Sequence, residues 1–157
     1  MFARIQGEKM LLEKTSGQGR NTYMNGDIYI GAWKEDVRHG QGTLYEASGG
    51  RYEGAWVNDT MHGAGVRWYA GGVRVEGGWK DGWHHGLKTC YFAGGDREES
   101  HWKEGKEHGL RTYFFANGDR EISKWKEGEQ QGQTTYYSAS EVSCVCFDLL
   151  NCCLYFV

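Results

Sequence analysis

Five tryptophans, Trp33, Trp56, Trp79, Trp102 and Trp125, stand at intervals of 23 residues without an insertion. His39, His62, His85 and His108 keep the same interval, with Gln131 in the fifth place, and Gly40, Gly63, Gly86, Gly109 and Gly132 follow them. A fixed period of this length is the signature of a repeat architecture, in which each unit buries its apolar face only by stacking on its neighbours. The question becomes what 23 residues can form.

A pair of well-packed helices does not fit, and the 25 glycines of the 157-residue chain disfavour helix further. Within one unit Tyr52, Gly54 and Trp56 alternate with Arg51, Glu53 and Ala55. In a strand, a period of two puts the aromatics on one face and the charges on the other. A second strand is expected after the His–Gly pair, as in Gly63 to Tyr69 and Gly109 to Phe115, with the dipeptide making the turn. Gly94-Gly95-Asp96 and Asn117-Gly118-Asp119 then reverse the chain. The expected fold class is all-β, an elongated antiparallel β-hairpin repeat array forming a single twisted meander of about ten to twelve strands. Residues 1–27 read as a degenerate N-terminal capping repeat, 28–138 as five repeats, and 139–157 as an apolar, cysteine-rich tail.

Composition tells where such a sheet finds a core. There are 7 Trp, 10 Tyr and 6 Phe, and no Pro. Each ring can bury roughly 150–250 Å², and a glycine between two aromatics on one face leaves a slot for a ring. The column Tyr29, Trp33, Tyr52, Trp56, Trp79, Trp102 and Trp125 is therefore the expected core. It is also the candidate partner-binding aromatic face.

The unit Tyr-x-Gly-x-Trp followed after five residues by His-Gly-x-Gly, as in Tyr29 to Gly42 and Tyr52 to Gly65, resembles the MORN (membrane occupation and recognition nexus) repeat. The resemblance covers roughly residues 16–138. Towards the C-terminus Val75, Glu98 and Glu121 replace the leading Tyr, Ser100 and Ser123 replace the Gly, and Lys88 and Arg111 replace the second Gly after His. It implies a non-catalytic module: a scaffold or adaptor, a cytoskeletal or ciliary part, a membrane-contact component, or an array attached to a larger enzyme.

The residues bear on these classes unequally. Histidines two strands apart stand roughly 9–10 Å from one another, too far to share a zinc ion, so no metal or cofactor is expected and the histidines read as turn residues. No nucleophile–base spacing stands out, and no catalytic residue is assigned. Lys34, Lys80, Lys103 and Lys126 form one basic column and Arg51, Arg74, Arg97 and Arg120 another, both opposite the aromatics. These are the candidate contacts to an anionic lipid surface. Yet residues 28–138 carry 14 basic and 16 acidic side chains, so a solvated, cross-paired face is the plainer reading. With 18 Lys plus Arg against 21 Asp plus Glu in the whole chain, nucleic acid is not an expected partner. A protein partner or a homodimer is.

The first residues lack the apolar run of a signal peptide, and no run of 18 apolar residues occurs, so a cytoplasmic chain, cytoskeleton- or membrane-associated, with reduced cysteines is expected. An extracellular array caging choline or sugar is thereby disfavoured. The tail reads in four ways: a cap on the aromatic face, a truncated gene end, an anchor acylated at Cys152 and Cys153, or a zinc site of four cysteines.

Overall fold

The computed structural model describes residues 4–6, 9–11 and 16–141. Among them thirteen strands form one open sheet in strict sequence order, every neighbouring pair antiparallel. β1 (Arg4–Gln6) and β2 (Lys9–Leu11) are short. β3 (Ser16–Tyr23) then leads into five hairpins. These are β4 (Ile28–Lys34) with β5 (Val37–Tyr45), β6 (Arg51–Val57) with β7 (Thr60–Trp68), and β8 (Arg74–Lys80) with β9 (Trp83–Tyr91). β10 (Arg97–Lys103) with β11 (Lys106–Phe114) and β12 (Arg120–Lys126) with β13 (Glu129–Tyr137) complete them, before a short 3-10 turn at Ala139–Glu141. The all-β repeat array is as expected, with eleven long strands and two short ones.

The turn position is not. The chain reverses at two-residue loops ahead of the His–Gly pair: Glu35-Asp36, Asn58-Asp59, Asp81-Gly82, Glu104-Gly105 and Glu127-Gly128. All ten residues have positive φ, as in Glu35 at 49° and Asp36 at 62°. Paired positive φ is what a type I′ turn requires, and its twist matches that of the flanking strands. The His–Gly pair lies inside the second strand, in a bulge. Between Gly31↔Gly42 and Trp33↔Arg38 the register shifts, so that Ala32 alone faces His39, Gly40 and Gln41. Gly40 takes φ 80° there. It also pairs with Trp56 of the next hairpin.

Both margins of the sheet are stitched between hairpins. At the tips, Gly82 N donates to Met61 O at 2.9 Å and Gly105 N to His84 O at 3.0 Å. At the opposite margin, the carboxylates of Asp27, Asp96 and Asp119 each accept the amide of an alanine 20 residues on, at 2.9, 2.8 and 2.8 Å. A single sheet has no second layer to fix its curvature, so these bonds hold one hairpin at a set angle to the next.

Candidate binding faces

The tryptophan face is packed within itself. Tyr29 and Tyr52 are fully buried, and Trp33, Trp56 and Trp79 are 7 %, 3 % and 6 % exposed. Their rings meet edge to face in one chain, Trp33–Tyr29–Trp56–Tyr52–Trp79, with centroids 5.1, 5.4, 5.2 and 5.6 Å apart. Such contacts add about 0.5–1.5 kcal/mol each beyond area burial. The slot for each Tyr is glycine: a methyl group at Gly31 or Gly54 would stand 2.6 Å from the hydroxyl of Tyr29 or Tyr52. Those hydroxyls donate to Ala32 O and Ala55 O at 3.0 and 3.3 Å.

At Val75 the zipper loses its tyrosine and a histidine takes over. His84 stacks on Trp79 with centroids 3.8 Å apart and reaches Trp102 at 5.5 Å. Burial, with Lys88 and Arg67 nearby, pushes its pKa down to about 4, so the ring is neutral at pH 7.

Beyond it the face changes chemistry. Glu98, 8 % exposed, accepts two hydrogen bonds at Oε2 from Arg111, at 3.0 Å from Nε and 2.7 Å from a terminal nitrogen, and has Lys88 Nζ 4.0 Å away. Lys88 also lies 4.5 Å over Trp102. Ser100 and Ser123 accept the indole N–H of Trp102 and Trp125, each at 2.8 Å. The substitutions are coupled. Tyr29 and Tyr52 reach diagonally over Gly42 and Gly65, the partners of Gly31 and Gly54 on the second strand. Where the leading residue is Glu98, the same diagonal position, the partner of Ser100, is Arg111. A ring needs empty space there; a buried carboxylate needs a cation.

The opposite face is a ladder of arginines on aromatics. Arg51 stacks on Trp68 at 3.7 Å, Arg74 on Tyr91 at 4.5 Å, Arg97 on Phe114 at 4.3 Å and Arg120 on Tyr137 at 4.8 Å. Three are also held by the glutamate two residues on: Arg51 by Glu53 at 4.0 Å, Arg97 by Glu99 at 3.2 Å, and Arg74 by Glu76. Ile122 takes that place beside Arg120. Lys34, Lys80, Lys103 and Lys126 are exposed at the hairpin tips, next to the acidic turn residues.

The structure thus brings together five of the seven residues of the candidate aromatic face as a buried zipper, with Trp102 and Trp125 half-buried further along. It keeps the two basic columns apart, one at the tips and one at the far strand ends. Cys152, Cys153 and the rest of the tail beyond 141 lie outside the described residues. Sequence reading missed the Glu98–Arg111–Lys88 cluster and the stacked His84. The signal for the first was present, since Glu98 and Arg111 depart from the repeat together.

The MORN-repeat family model matches the chain four times, over residues 29–51, 52–74, 76–97 and 99–120, together more than half of its length. The chain belongs to the MORN-repeat family. No curated protein matches it closely enough to mark a relative. The matches end where the fifth unit of this MORN array begins, although β12 and β13 keep the hairpin and the bulge. Glu121, Ser123, Gln131 and Thr134 there stand in place of the repeat's Tyr, Gly, His and second Gly.

Proposed function

We propose that this MORN array is a non-catalytic scaffold or adaptor that holds a partner protein, or a second copy of itself, at cytoskeletal or membrane-associated structures of the cytoplasm. The observation that carries the reading is the arginine–aromatic ladder. Four stacked pairs recur at one position of consecutive hairpins, roughly 9–10 Å apart. Arginine and large aromatics are the residues that dominate protein interfaces, and stacking pre-orders their side chains, lowering the entropy lost on docking. The flanking glutamates offset much of the positive charge, which suits a mixed protein surface better than an anionic bilayer.

The test is affinity capture with the full chain against Trp68→Ala and Tyr91→Ala. Partner capture at least about tenfold weaker in the variants supports the reading; unchanged capture refutes the ladder as the contact face. Light scattering at tens of micromolar separates a homodimer from a monomer awaiting another protein. A second reading, a peripheral membrane module, draws support from the exposed lysines at the tips. It requires binding to phosphoinositide vesicles that is lost near 0.5 M salt, where screening is nearly complete.

A further inference from the structure

The acidic column beyond the zipper is answered once and unanswered once. Two cations converge on Glu98, Arg111 by hydrogen bonds and Lys88 at 4.0 Å. Glu121 stands one repeat further on, and the position that Arg111 fills for Glu98 is occupied by Thr134. Among the described residues the carboxylate of Glu121 has no ion pair and no hydrogen bond. It lies between Tyr113 on β11 and Tyr136 on β13 in register. A cleft of about 330 Å³ opens beside it, walled by Tyr113, Phe115, Ser123, Gln130 and Thr134. Arg111 borders the cleft too, with its Nε and one terminal nitrogen donated to Glu98. Around the cleft the cations Lys88 and Arg111 stand against the carboxylates Glu98, Glu107, Glu121 and Asp96, the last bonded to Tyr113.

The walls are held in place. Tyr113 donates its hydroxyl to Asp96 Oδ2 at 2.6 Å, Tyr136 donates to Asp119, and Tyr113 and Phe115 stand 4.9 Å apart. A half-buried carboxylate beside aromatic rings selects an organic cation: the carboxylate answers the charge, and the rings cover its methylenes. A neutral chain of the same shape would shield Glu121 from water without compensating it. One carboxylate is too few ligands for a divalent metal ion. The chain already contains this arrangement, in Lys88 set between Glu98 and the Trp102 ring.

We infer that the cleft at Glu121 is a subsite for the side-chain ammonium of a lysine carried by a partner protein. This rests on the scaffold reading and adds to it the chemistry that the partner presents. The test uses the full chain, labelled with ¹⁵N, and follows the indole N–H of Trp125, which is bonded to the cleft residue Ser123. The probes are the peptide acetyl-Gly-Lys-Gly-amide, its norleucine counterpart and methylammonium chloride, all at one ionic strength. The lysine peptide is expected to shift the Trp125 signal and leave Trp33 in place, binding about tenfold or more tighter than norleucine. Glu121→Gln, and Thr134→Arg, which supplies the missing internal cation, should each weaken it by about tenfold while keeping wild-type spectral dispersion. Equal binding of norleucine, or undiminished binding by Glu121→Gln, overturns the site, since the carboxylate would then not be what recognises the ammonium. Methylammonium binding as tightly as the peptide overturns the assignment to a protein lysine in favour of a free amine. Failure of the peptide while partner capture persists removes this subsite alone; loss of capture removes the scaffold reading.

Discussion

The hydroxyl of Tyr29 occupies the space that a side chain at Gly42 would fill. The two residues sit on facing strands of one hairpin, and the Tyr29 ring is fully buried. Gly42→Ala must push that ring out of its edge-to-face contacts with Trp33 and Trp56. Overpacking of this kind costs about 1–3 kcal/mol, expected here as a lower urea midpoint. Gly71→Ala is the control, because a methyl group there meets nothing within 4 Å, and its midpoint should move by less than about 0.5 kcal/mol. Equal loss in both would show that the slot is not what demands glycine.

Glu98 with Arg111 and Tyr29 with Gly42 are two solutions to one packing problem. Arg111→Gly alone leaves a buried carboxylate facing only Lys88 and should cost about 3 kcal/mol. Glu98→Tyr with Ser100→Gly drives a ring against Arg111. All three substitutions together rebuild the earlier arrangement and should recover most of the loss, with a coupling energy of about 2 kcal/mol in denaturant titrations. Additive losses would sink the idea.

His84 makes stability depend on pH. Its pKa is about 4 in the folded chain and about 6.5 when unfolded, so the native state refuses a proton that the unfolded state accepts. Its contribution is full above about pH 6.5 and is lost as the pH falls towards 4. His84→Phe keeps a ring between Trp79 and Trp102 and should flatten the fall of the denaturation midpoint across this window. Asp96 and Asp119 do not confuse the reading: hydrogen bonds from Tyr113 and Tyr136 hold them below the ordinary 3.8. A midpoint that rises on acidification, or an unchanged slope in the variant, would be the contrary result.

The stitching carboxylates carry their own controls. Asp27, Asp96 and Asp119 hold the amides of Ala47, Ala116 and Ala139, whereas Gly50 and Val73 occupy the same position before Ala70 and Ala93. Hydrogen exchange should be slower at the first three alanines than at the last two. Asp96→Ala should bring the Ala116 amide up to the rate of Ala93. No difference among the five would mean that the carboxylates do not order these turns.

Some of this is legible in the sequence alone. The 23-residue period, the alternation around Tyr52, Gly54 and Trp56, and the glycine slots point to hairpins with the indoles on one face, and the structure has them there. The turn position is not legible, because a positive-φ glycine serves a reversal and a bulge equally well. Gly40 and Gly82 take nearly the same φ, 80° and 84°, yet one lies within a strand and the other turns the chain. The basic columns were legible as columns, but their partners were not: that Arg51 lies on Trp68 follows from cross-strand register.

The sequence by itself determined the repeat, the strand period and the face on which each residue lies, because these depend on local backbone geometry and a step of two. Only the tertiary structure decided which side chain answers which. The rings of one hairpin close over the next, Glu98 takes Arg111 and Lys88 together, and Glu121 is left to the cleft. Those choices depend on distances between residues 10 to 27 apart in the chain, set by the bulge and the stitched margins, which no local pattern encodes.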